Sequence, residues 1–81
     1  MKKVNFKQTL NGKTFYTPLF ILLYKIYCNY YKRKISYQEF EPIAKPFLAM
    51  LLHLTQEKDY YTLLYKFKLT WEEIEYLEKF V

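Results

Sequence analysis

The chain has 81 residues, 52% hydrophobic and 22% aromatic, with 13 Lys or Arg against 8 Asp or Glu, a net charge of +5, and a single Gly, Cys and His. So short a chain makes one domain, residues 1–81, that buries only about 60% of the surface its unfolded form exposes, and its many rings supply the core it needs. These totals exclude an intrachain disulfide, a cysteine–histidine metal cluster and a glycine-rich phosphate loop.

The first element reads as a β-hairpin. Val4, Phe6 and Leu10 alternate with polar residues, Asn11-Gly12 is the favoured two-residue turn, and Thr14 to Thr17 return as strand formers. The register sets Phe15 across from Gln8 and Tyr16 across from Lys7. Phe6, Leu10 and Phe15 are expected to face the core, with Lys7, Thr9, Thr14 and Tyr16 facing out.

Pro18 fits a first helical turn, and PLFILLYKIYCNYYKRKI predicts a helix from Pro18 to about Lys34. Apolar side chains surround it except at Lys25, Asn29 and Lys32, so it is expected to be the central, mostly buried helix, with Lys32-Arg33-Lys34 completing its carbonyl end. Ser36 and Glu39 have capping-box spacing. Pro42 and Pro46 then predict a break, leaving a short segment over Tyr37–Glu41 and a second helix from Pro46 to Leu54. That second helix is apolar enough to join the core or to form a homodimer seam.

Residues 60–69 carry two patterns. Tyr60, Leu63, Leu64 and Phe67 form a helical face, whereas Tyr61, Leu63, Tyr65, Phe67 and Leu69 alternate as a strand; Asp59 as N-cap favours the helix. Thr70 and Glu73 make another capping box, followed by a Trp71, Ile74, Leu77, Val81 stripe and a Glu75/Lys79 pair at ion-pair spacing. The fold expected is mainly α with a small N-terminal β-hairpin, a compact domain of three or four helices, the alternative being an α+β fold with a three-stranded sheet. Its core is expected to draw on Phe6, Leu10, Phe15, Leu22, Leu23, Ile26, Tyr27, Leu48, Leu51, Leu52, Leu64, Ile74 and Leu77.

Catalytic chemistry finds little purchase. His53 and Cys28 both fall within apolar helices, and each reads as a structural residue, Cys28 as a small buried hydrophobe and His53 at the edge of the core. Glu39 and Glu41, and the carboxylates of the last helix, lack the histidine or acidic partners of a metal site. A non-enzymatic protein with no cofactor and no metal is expected.

Charge is unevenly spread. Residues 1–34 contain eight Lys or Arg and no carboxylate, whereas residues 35–81 contain five Lys and eight Asp or Glu. Cations interleaved with rings suit a single-stranded or duplex nucleic acid, because ammonium and guanidinium groups neutralise phosphates and rings stack on bases. The candidate nucleic-acid residues are Lys2, Lys3, Lys7, Lys13, Tyr16, Tyr30, Tyr31, Lys32, Arg33 and Lys34, with Lys25 beside them. Charge also keeps so apolar a chain dispersed.

The carboxy-terminal helices superficially resemble a helix-turn-helix, yet Glu72, Glu73 and Glu75 would repel phosphates where a recognition helix must approach them. An acidic and aromatic face for a larger protein partner fits better, with Tyr61, Tyr65, Trp71, Glu72, Glu75 and Tyr76 as its residues. The expected function is a nucleic-acid-binding accessory module. The alternative is an inhibitor or scaffold of a nucleic-acid enzyme that makes no nucleic-acid contact. The longest apolar run is broken by Lys25, and Lys2 and Lys3 lack the hydrophobic run of a signal peptide, so no membrane contact and a cytoplasmic location are expected.

Overall fold

In the computed structural model, which describes residues 4–81, the chain forms a hairpin of β1 (Lys7–Leu10) and β2 (Lys13–Tyr16) followed by four helices. Asn11 and Gly12 both take positive φ, 52° and 76°, the pairing that a type I′ turn needs to match strand twist. Lys7 faces Tyr16 and Gln8 faces Phe15, the register expected from the turn.

The two strands are exposed on both faces, and the one strand side chain that turns to the body, Tyr16, comes from the face expected to point out. Phe6 packs against the core, but Leu10 is 62% exposed and Phe15 47% exposed, while Tyr16 turns inward and stacks on Phe20 with centroids 4.2 Å apart. The physical reason lies in helix α2, which holds Glu41 where the Tyr16 hydroxyl donates to it and where Lys7 Nζ lies 3.0 Å away. Tyr16 packs its ring on Phe20 and gains a hydrogen bond to Glu41 that a phenylalanine at this junction would not make.

Thr17 ties the hairpin to α1 (Pro18–Tyr31). Its hydroxyl donates to the Asn5 carbonyl and accepts from the Phe20 amide, and its own amide donates to the Phe6 carbonyl. The helix stops three residues before Lys34. Lys32 takes φ 53°, and the amides of Lys32 and Arg33 both return to the Cys28 carbonyl. Arg33 and Lys34 therefore belong to a connecting segment, not to a helical last turn.

Helix α2 (Tyr37–Gln56) is continuous through both prolines, contrary to the break expected there. Gln38, Pro42 and Pro46 repeat every four residues along its exposed side, so the carbonyls that lose an amide partner face water, which hydrates them. On the other side Phe40, Ala44, Phe47, Leu48, Leu51, Leu52 and Thr55 form an uninterrupted buried stripe. Burying each large side chain contributes about 1.5–3 kcal/mol, enough over this stripe to outweigh two lost hydrogen bonds of about 1 kcal/mol each. The Thr55 hydroxyl donates to the Leu51 carbonyl at 3.0 Å, so the one buried polar side chain among the described residues is satisfied.

Helix α2, not α1, is the hub, because α1, α3 (Tyr60–Lys66) and α4 (Trp71–Glu78) all pack on it. From α1 only Leu19, Phe20, Leu23 and Ile26 are buried, and Ile21 is exposed. Residues 60–66 are helical, capped by Asp59, and among the described residues no third strand joins the hairpin. Phe67 and Leu69 follow α3 as buried anchors. Helix α4 opens on the expected capping box and buries Ile74 and Leu77, whereas Trp71 and Val81 are exposed. Lys79 lies over the Tyr76 ring, 5.6 Å from its centroid, rather than on Glu75. The core thus gains Leu19, Phe20, Phe40, Ala44, Phe47, Leu63, Phe67 and Leu69 beyond those expected, while Leu22, Tyr27 and Leu64 are only partly buried. Among the described residues no helix is long and apolar enough to cross a membrane.

Candidate nucleic-acid interface

Beyond Lys32 the chain doubles back along α1 instead of leaving it. Tyr24 anchors this return, its hydroxyl donating to the Ile35 carbonyl, and the first side chain of α2, Tyr37, packs on Tyr24 with centroids 4.6 Å apart. Burial, and next a hydrogen bond with Cys28, push the Tyr24 phenol above its ordinary value of 10.0, so it remains a donor at neutral pH. Between α1 and the returning segment lies an open groove of about 590 Å³.

Four cations line this groove: Lys25 and Lys32 from α1 and its cap, Arg33 and Lys34 from the return. Tyr24, Tyr37, Ile21, Cys28 and Asn29 complete its lining, and among the described residues no carboxylate lines it. Uncompensated charges on a concave surface focus the field toward a polyanion. Cys28 is half-buried here, not the fully buried residue expected.

The remaining candidates are scattered, for identifiable reasons. Lys7 and Tyr16 are both occupied by Glu41 at the hairpin base, and Lys7 also lies 5.7 Å from the Tyr16 ring centroid. The Tyr16 hydroxyl, and secondarily Lys7, hold the Glu41 carboxyl below its ordinary range, so it stays charged and neutralises Lys7. Lys13 is exposed at the hairpin turn. Tyr30 stacks on Phe67 with centroids 4.5 Å apart and Tyr31 packs beside Tyr27, yet both rings remain exposed, away from the residues that line the groove. Lys2 and Lys3 lie outside the described residues. Sequence reasoning missed Tyr24 and Tyr37, whose role depends on the return of the chain and leaves no local signal.

The docking candidates split between two helices. Tyr61 and Tyr65 are each 76% exposed on α3, their rings nearly parallel at 3°. On α4, Trp71 leans on Tyr60, whose hydroxyl donates to Glu78, and Glu72 and Glu75 are exposed. Tyr76 is half-buried against Phe80 on another flank of the helix. His53 is exposed, its Nε2 3.3 Å from Glu57 Oε1. A separate, mainly apolar depression of about 570 Å³ runs between Val4, Phe6, Leu48 and Leu52. Among the described residues no three His, Cys, Asp or Glu side chains converge as metal ligands would.

No protein-family model matches the chain, and neither a curated protein nor a solved structure was found to be similar to it.

Proposed function

We propose that this protein is a non-enzymatic accessory module that holds nucleic acid on its basic groove and presents α3 and α4 to a larger protein. The observation that carries the reading is the groove itself, where Lys25, Lys32, Arg33 and Lys34 converge with no carboxylate in the wall. Neutralising phosphates there releases condensed counterions, which makes binding favourable and salt-dependent without any base-reading element.

The decisive experiment measures affinity for a fluorescent mixed-sequence oligonucleotide, single-stranded and duplex, at low and moderate salt. Micromolar or tighter binding that weakens with salt, and is lost when Lys32, Arg33 and Lys34 are all changed to Gln in a chain that still folds, supports the reading. A folded wild type that binds neither form at low salt sinks it.

The second reading, a protein-binding inhibitor or scaffold without nucleic-acid contact, draws on the exposure of Tyr61, Tyr65 and Trp71. Rings so exposed are the usual anchors of interface centres. Under that reading Tyr61→Ala with Tyr65→Ala abolishes partner capture while the triple Gln change leaves it intact.

A further inference from the structure

We infer that the groove is a seat for one or two nucleotides of a single strand, phosphates on the cations and a base against Tyr37, and that it discriminates against duplex. The inference rests on the nucleic-acid reading above and narrows its ligand.

Shape supplies the first argument. The cations do not stand on a protruding helix that enters a major groove about 12 Å wide. They line a recess between α1 and a segment tethered to it through Tyr24 and Ile35. A flexible unpaired backbone follows such a recess, whereas the convex, stiff surface of a duplex meets only the rim.

Chemistry supplies the second. Tyr37 is 41% exposed, yet its ring is fixed, with Tyr24 at 4.6 Å and 69°, Tyr16 at 5.1 Å, and Phe20 at 5.9 Å. A ring locked by neighbours loses little entropy when a base stacks on its open face. Arg33 adds a planar cation that pairs with phosphate in bidentate fashion. The carboxylate that acts on this wall is Glu39, one turn into α2, whose charge is felt by Tyr24 but which does not line the groove. An acidic peptide would satisfy the lysines but leave the open face of Tyr37 unused.

Cys28 provides a reporter already in place, since it lines the groove and is half-buried. The experiment titrates the wild type with a short single-stranded oligonucleotide, the matching duplex, and poly-glutamate, reading affinity and the rate of Cys28 alkylation by a small reagent. Single strand is expected to bind at least tenfold tighter than duplex and to slow alkylation severalfold. With two phosphates engaged, log affinity should fall against log salt with a slope of about −1.4. Tyr37→Leu should weaken single-strand binding about tenfold with that slope unchanged, and Lys25→Gln should make the slope shallower by about 0.7.

Equal affinity for duplex overturns the inference, as does unchanged Cys28 alkylation under saturating single strand. Protection by poly-glutamate equal to that by single strand also overturns it, in favour of an acidic peptide. In the first two outcomes the broader nucleic-acid reading survives with its surface elsewhere. Absence of binding to either nucleic acid removes both.

Discussion

Replacing Phe20 by Leu, with Phe15 replaced by Leu in parallel, tests which way the hairpin sits on the helices. Phe20 is fully buried at the meeting point of four rings: Tyr16 at 4.2 Å, Phe40 at 5.3 Å, and Phe6 and Tyr37 at 5.9 Å. Leucine keeps most of the buried apolar area but loses edge-to-face and stacked pairings worth about 0.5–1.5 kcal/mol each. Partial relaxation around the smaller side chain leaves a net cost of about 1–2 kcal/mol. Phe15, nearly half exposed with no ring partner, should cost less than about 0.5 kcal/mol. A chain of 81 residues has a total stability of only about 4–12 kcal/mol, and in so small a domain each kcal/mol shifts the melting midpoint by about 4–8 °C. Thermal and urea unfolding followed by far-ultraviolet circular dichroism should place Phe20→Leu about 5–15 °C below the wild type and Phe15→Leu within about 3 °C of it. Equal losses, or a larger loss at Phe15, would refute the reasoning and return the Leu10 and Phe15 face to the core.

The Tyr16–Glu41–Lys7 junction predicts a stability contribution bounded at both ends of the pH scale. The Glu41 carboxyl is held below its ordinary range by Tyr16 and then by Lys7. Its share is therefore full above that range and fades as pH falls through the lowered value. The Tyr16 phenol is raised, by its bond to Glu41 first and burial second, so its share is full below 10.0 and fades as pH climbs through the raised value. Unfolding midpoints measured from about pH 5 down to about pH 3 should fall more steeply for the wild type than for Glu41→Gln, and parallel curves would count against the junction. Backbone conformation separates stability from binding at two lysines. Lys32 and Lys58 take φ of 53° and 60°, where glycine is favoured, so Lys32→Gly and Lys58→Gly should each stabilise the fold by about 0.5–1 kcal/mol. Only Lys32→Gly should weaken oligonucleotide binding, because only Lys32 lines the groove; equal effects of the two on affinity would detach binding from that surface.

Local signals carried much of the fold. Asn11-Gly12 set the hairpin and its register, Ser36 with Glu39 and Thr70 with Glu73 opened two helices, and Asp59 opened another. In each case the information lies within a few neighbouring residues, where hydrogen-bonding geometry is decided. The continuity of α2 was not legible in the same way, because the local preference of proline opposes it. Burial of the stripe from Phe40 to Thr55 overrides that preference, since both proline rings fall on the wet side of α2.

The sequence by itself determined the hairpin with its turn, the residues at which the four helices start, and the separation of charge between the two halves of the chain, all of which depend on local geometry or on composition. Tertiary structure alone decided which strand side chain of the hairpin turned inward, since that rests on Tyr16 finding Phe20 and Glu41. It also decided which cations stand together. Lys25 shares a groove with Arg33, Lys34 and Tyr37 only because the Tyr24 hydroxyl holds the chain back against α1, and a contact of that kind is made by packing, not by spacing.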